Sequence, residues 1–362
     1  MAQDNAKPLV LVVGTSGNTG RSIVDGLLKS GNFRSSARPH PARRRQKLYA
    51  RRGVEVRIGD IHDGVKQLEA LLRDADVLIS AVPGWLIRDQ KDIFRAAKEA
   101  GVKRVIPSDF GTPGAKGIRA LHDTVRGEFI EELGVGYTVV DVGGWMQGWL
   151  PLPSRSSMSD EAKQVGYTYL DDGSVQTLVT DRRHIGTHVA RIIADPRTLH
   201  LAVIAEAQAL AVRLSGDGEA LREKFVRATR DTFRQAIEEG KREIAADPSA
   251  LGRQVTVKVS WNGYMHSMLV LQENTLANAK RLGYLDVREL YPDVPRYPLK
   301  EHAAEFYNLP EPATRDRTLG PEVCDTDDQA AFTKLPHGKV ARPSVEDLLK
   351  EEIHGVSLWY EE

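Results

Sequence analysis

The stretch Gly14-Thr15-Ser16-Gly17-Asn18-Thr19-Gly20 constrains the fold of this chain more than any other. It follows Pro8-Leu9-Val10-Leu11-Val12-Val13, an apolar run of the length of a buried strand. It precedes Arg21 to Leu28, where Ile23, Leu27 and Leu28 recur at helical spacing. A strand, a tight glycine turn and a helix start make a phosphate site for physical reasons. Glycine lets the backbone turn and approach closely, and the free N–H groups of a helix N-terminus attract an anion. Gly14, Thr15, Ser16, Gly17, Asn18, Thr19 and Gly20 are therefore candidate cofactor contacts, in the spacing G-x-x-G-x-x-G.

Phe33 to Arg38 reads as the second strand. A dinucleotide site that binds an unmodified ribose usually carries an acid at this strand's end. Here Arg38 stands instead, followed by Arg43, Arg44, Arg45 and Lys47. A guanidinium suits a 2′-phosphate by its charge and its fork of donors, so Arg38 and Arg43 point to NADP(H) rather than NAD. The plainer reading of the same residues is a solvated basic loop.

Strand patterns continue at 54–60, 76–82, 103–111 and 136–144, with helical patterns between them at 65–74, 86–101 and 118–133. This alternation predicts βαβ units, a parallel sheet and an α/β fold. Ligands of such sheets sit at the carboxyl ends of the strands. That edge collects Ser80, Ala81 and Val82, Ser108, Asp109 and Phe110, and Gly143 and Gly144 beside the glycine turn. In the second half, residues 171–174 suggest a hairpin turn, 185–193 a helix, 199–205 a strand and 221–246 one long charged helix. Shorter helices are expected at 275–282 and 344–353, and an extended wrap at 310–343.

With 50 basic and 50 acidic residues there is no net field to attract nucleic acid or a membrane surface. The single cysteine, Cys324, excludes an intrachain disulfide and suits a reducing compartment. No apolar run is long enough to span a bilayer, and the first residues carry no signal-peptide pattern. A cytoplasmic protein is expected. With nucleic acid and membrane not expected, a small molecule is the expected partner, and a homodimer is compatible with the sequence.

The ordered motifs between about residue 8 and residue 310 resemble the NmrA-like, isoflavone-reductase-like branch of the atypical short-chain dehydrogenases, in its fungal secondary-metabolism form. They are Val12 to Gly20, Gly101-Val102-Lys103-Arg104-Val105-Ile106-Pro107-Ser108-Asp109-Phe110-Gly111, Leu121-His122-Asp123 and Gly136-Tyr137-Thr138. Asp141 to Gln147, Ala194-Asp195-Pro196-Arg197-Thr198 and Leu282-Gly283-Tyr284-Leu285 agree with them. The resemblance implies an NAD(P)-binding Rossmann fold with a parallel sheet over 1–153, joined by returning segments from the second half. It also implies a smaller α/β substrate-capping domain over 154–310, with 311–362 as a C-terminal extension. The activity it implies is NADP(H)-dependent oxidoreduction of a bulky aromatic or alkaloid natural product.

The chain departs from the branch at one point. Where fungal relatives commonly read Leu-His-Asp-Lys, with a lysine that assists catalysis, it has Leu121-His122-Asp123-Thr124, and it contains no Tyr-x-x-x-Lys. His122 and Asp123 at the helix start, Asp109 in the exit loop and Lys116 in the following loop are the candidates for acid–base work. The altered segment is also compatible with imine reduction or a redox-assisted, Diels–Alder-type cyclisation of an indole alkaloid. A third reading is a non-catalytic dinucleotide-sensing regulator. Trp145, Met146, Gln147 and Trp149 form a group expected to line an aromatic-friendly pocket. His184 and His188 share a helical face but lack the remaining ligands of a zinc site, so no metal is expected.

Overall fold

The computed structural model describes residues 7–38, 43–83, 86–113, 129–158, 160–171, 175–198, 202–204, 223–246, 259 and 261–310. Contacts divide the chain into two compact units. The first comprises Met1–Met146, Val175–Gln208 and Ser267–Leu299, and the second Gln147–Ser174, Ala209–His266 and Lys300–Glu362.

The first unit is built on β1 (Leu9–Val13), β2 (Arg34–Arg38), β3 (Glu55–Val56), β4 (Val77–Ser80) and β5 (Arg104–Ile106). All five are parallel, in the order β3-β2-β1-β4-β5. The order reverses between β1 and β4, the switch point at which Rossmann sheets open a crevice for ligand. Next come β6 (Val139–Val140) and β7 (Gly144–Trp145). A parallel bridge from Val105 to Tyr137, just ahead of β6, sets β6 beside β5.

β1 is fully buried, as a strand covered on both faces must be. Its alternate residues enter two different cores. Val10 and Val12 pack with Ile23, Val24 and Leu27 of α1 (Asn18–Ser30) and with Val189 and Ile192 of the Ile185–Ala194 helix. Leu11 and Val13 pack with Leu68 of α3 (Val65–Leu71) and with Ile93 and Phe94 of α4 (Lys91–Glu99). Between β2 and β3 runs α2 (Arg43–Arg51).

The second unit holds β8 (Thr168–Leu170), whereas β9 (Val179–Thr180) and β10 (Ala202–Ile204) return to the first. β11 (Val226–Ala228) belongs to the second unit and β12 (Leu285–Asp286) to the first. β10 lies between β6 and β12, so the returning segments extend the parallel arrangement beyond β6.

The expected hairpin turn at 171–174 lies, for residues 172–174, outside the described residues; of the strands on either side, β8 pairs in parallel with β11 and β9 in parallel with β7. One local expectation fails, since the charged stretch 221–246 is not one helix. Residues 226–228 form β11, and the helix spans Arg230–Ala246. Its start is set by reciprocal bonds, Thr229 N to Thr232 Oγ1 at 3.0 Å and Thr232 N to Thr229 Oγ1 at 3.3 Å, a capping box made of two threonines. Of the expected elements, residues 118–128 of the helix at 118–133, residues 311–343 of the wrap at 310–343 and the whole helix at 344–353 lie outside the described residues. Among the described residues no helix is long and apolar enough to cross a membrane.

Candidate functional site

At the end of β1, Val13 is in register with Arg38 on one side and Ser80 on the other. The chain must leave the sheet at the next residue. Gly14 does so with φ 79°, and a Cβ there would lie 2.6 Å from the Ala81 carbonyl carbon and closer still to its oxygen. Only glycine combines that torsion with that approach. Gly17 N donates to Gly14 O at 3.0 Å to close the turn, and Arg21 N donates to Gly17 O at 3.0 Å to open α1. Gly17 caps α1 with no side-chain bond, and the first turn carries no acid. Among the described residues the leading N–H groups of α1 thus have no side-chain cap, at the positive end of the helix dipole. At Gly20 a Cβ would lie 2.8 Å from both Gly14 C and Thr15 Cα, so this glycine lets helix and turn pack together. Thr15 and Ser80, the latter at the end of β4, are buried, and among the described residues neither Thr15 Oγ1 nor Ser80 Oγ has a hydrogen-bond partner. Orphaned hydroxyls beside an uncapped helix start fit a polar anionic ligand.

Neighbouring strand exits are stitched to one another. Ser108 Oγ donates to Val82 O at 2.7 Å, and Ser108 N donates to Gln90 Oε1 at 2.9 Å. Gln90, fully buried, donates its own amide to Ile87 O at 3.0 Å. Gln90 supports the site without being evident from sequence, because the pattern over 86–101 predicts one continuous helix. A 3-10 turn, Arg88–Gln90, precedes α4. A signal was present: Ile87, Gln90, Phe94 and Ala97 share one helical face, so a lone amide sits in an apolar stripe.

Phe110 is buried with φ 46°, and its N–H donates to Val140 O at 3.0 Å. Val142 N and Gly143 N both reach Gly111 O, at 3.0 and 2.7 Å. Asp109 is half-buried in this exit loop. The returning segments brace the chain just after β6: Tyr284 Oη donates to buried Asp141 Oδ2 at 2.6 Å, and Thr180 Oγ1 to Val142 O at 2.6 Å.

Of the remaining candidates, Arg38 ends β2 and Arg43 begins α2. Gly144 and Trp145 form β7, with Trp145 37 % exposed, while Met146 is buried. In the second unit Gln147 is buried and Trp149 half-buried. Lys116, His122 and Asp123 lie outside the described residues.

His184 stacks on Tyr297 with ring centroids 4.7 Å apart. His188, on the Ile185–Ala194 helix, has its pKa pushed down from 6.5 to about 4 by burial, aided by the charge of His184. Among the described residues no cluster of three or more metal-ligating side chains occurs. The depressed pKa has a consequence for folding. Below pH 6.5 the unfolded chain takes up a proton that the folded chain refuses, so stability falls as pH drops toward 4. The loss is expected to reach about 3 kcal/mol. Urea unfolding across that window checks it, and His188→Leu should flatten the slope.

Residues 6–212 match the NmrA-like family. The asnovolin J 5′,6′-dehydrogenase of Aspergillus novofumigatus is 33% identical over 303 residues, covering 78% of this chain and 90% of that protein. Eugenol synthase 1 of Petunia hybrida is 25% identical over 315 residues, covering 83% of this chain and 99% of its own. The binary complex of leucoanthocyanidin reductase with NADPH from Vitis vinifera has the same fold, with a TM-score of 0.64 at 19% identity over 83% of this chain and 99% of that one. With the match spanning more than half of its length, and with a relative of this identity aligned over most of both proteins, this chain belongs to the NmrA-like family.

Proposed function

We propose that this chain is an NADP(H)-dependent oxidoreductase acting on a bulky aromatic or alkaloid natural product of secondary metabolism. The observation that carries the reading is the glycine turn: an uncapped helix start beside orphaned Thr15 and Ser80 hydroxyls, at the switch point of a parallel sheet. Gly14 to Gly20 would hold the pyrophosphate. Arg38, in register with Val13 where the turn begins, and Arg43 at the head of α2 would hold the 2′-phosphate. Arg38→Ala is expected to weaken NADPH binding by about tenfold to a hundredfold and to leave NADH nearly unchanged. Parallel fluorescence titrations with the two nucleotides read this directly.

When bound, the nicotinamide supplies or accepts a hydride. The Ser108–Val82 and Ser108–Gln90 bonds hold the β4 and β5 exits in fixed relation, which keeps that edge of the sheet rigid. Trp145 offers exposed aromatic surface to a flat substrate. His122, with Asp123 beside it, is assigned the proton, with Asp109 and Lys116 as the other candidates. The fungal dehydrogenase relative supports the redox reading. Thr124 in the lysine position favours a substrate that carries its own basic nitrogen, as an imine does.

The test is deuterium transfer from C4-labelled NADPH into product, run over aromatic enones, benzylic ethers and cyclic imines. Label in a product supports the oxidoreductase, and label only in imine products supports the nitrogen-bearing class. Tight NADPH binding without transfer to any of them overturns it in favour of a dinucleotide-sensing regulator.

A further inference from the structure

We infer that Tyr49 is a positioning residue that fastens helix α2 to the glycine turn and thereby sets the preference for a 2′-phosphorylated dinucleotide. The inference rests on the NADP(H) reading above. Tyr49 is 3 % exposed and packs in the core beneath β1 and α1. Its hydroxyl donates to the Thr15 carbonyl at 2.6 Å, entirely within the protein. Thr15 itself is fully buried, so water cannot replace that donor. Burial also raises the Tyr49 pKa above its ordinary value, which keeps the hydroxyl protonated and able to donate.

The same residue anchors the far end of its helix. Arg52 N and Val54 N donate to Tyr49 O at 3.0 and 3.1 Å, which turns the chain toward β3. A second tie runs from the Arg52 guanidinium to the Asp25 carboxylate of α1. Helix α2 therefore cannot shift against the turn without breaking a buried hydrogen bond. That helix carries Arg43, Arg44, Arg45 and Lys47.

The geometry matters because the pyrophosphate and the 2′-phosphate belong to one ligand. Charges on α2 favour the second phosphate only if they are held at a fixed distance from the turn that grips the first. A nucleotide without the 2′-phosphate gains nothing from that registration. A purely structural tyrosine would stabilise the fold and affect both nucleotides alike.

Tyr49→Phe keeps the ring and deletes the donor. Wild type and variant are titrated with NADPH, NADH and adenosine 2′,5′-bisphosphate, with the melting temperature of each nucleotide-free protein recorded alongside. The expected result is a loss of about tenfold for NADPH and for the bisphosphate, with NADH changed by less than about threefold. Equal weakening of NADPH and NADH, or no change in either, overturns the inference. If Tyr49→Phe does not fold, Arg52→Gln loosens the same helix from outside the core and is expected to narrow the NADPH preference in the same direction; an unchanged ratio there overturns it equally. Failure of the wild type itself to prefer NADPH is a different outcome, for it removes the reading on which the inference stands.

Discussion

Replacing Gly186 by alanine is expected to destabilise the first unit by about 3 kcal/mol or more. Helix α1 and the Ile185–Ala194 helix cross with their backbones touching. A Cβ on Gly186 would lie 2.9 Å from Ile23 Cα and would overlap the Ser22 carbonyl. From the other side, a Cβ on Gly26 would lie 2.7 Å from Gly186 Cα and would overlap the Gly186 carbonyl. The obstructing atoms are main chain, so no rotamer change can relieve them. Ser22 tightens the crossing further, accepting from Gly186 N at 3.0 Å and donating to Arg183 O at 3.1 Å. One added methyl must push the helices apart and loosen the packing of Ile23 and Leu27 against Val189 and Ile193. Urea and thermal unfolding followed by circular dichroism should show the loss, with the melting point lower by roughly 10 °C. A variant within about 1 kcal/mol of wild type would mean that the two helices are not held this closely.

Gly17→Ala is expected to behave in the opposite way, folding normally and losing about a hundredfold in nucleotide affinity. Gly17 has φ −75°, which any residue adopts, and it is exposed. A Cβ there would meet only Gly14 O, at 3.4 Å, an ordinary contact. Gly14 and Gly20 are required by the fold itself, since the backbone occupies the place of their side chains. The middle glycine has no such reason. Its proposed role is to let an anion come up to the main chain at the start of α1. Stability within about 1 kcal/mol of wild type, with nucleotide binding lost, is the expected pair of results. An alanine variant that binds as well as wild type would put the phosphates somewhere other than this turn.

The contrast between these two glycines also shows what local sequence can and cannot carry. The 14–20 turn was legible because everything that defines it lies within about twenty consecutive residues: an apolar strand, glycines at fixed spacing and a helical repeat. Alternation of strands and helices through the first half was legible for the same reason, and it predicted which loops share the carboxyl edge. Gly186 was not legible, because a glycine inside a helical pattern records neither the presence nor the distance of a second helix. The bracing of β6 by Tyr284, 143 residues away from Asp141, was equally hidden. The partners of β8 and β9 were hidden too, since each pairs with a strand distant in sequence. At 226–228 a charged, helix-compatible composition yields to pairing with β8. Gln90 stands between these cases, since its place in an apolar stripe was visible and its inward turn was not.

The proposed NADP(H) site is the turn between β1 and α1, together with Arg38 and α2. Fluorescence titration of the purified protein with NADPH and with NADH tests it most directly. Saturable NADPH binding is expected, tighter than NADH by at least about tenfold and weakened by competing adenosine 2′,5′-bisphosphate. Binding of neither nucleotide, or equal affinity for both with no competition by the bisphosphate, would contradict it.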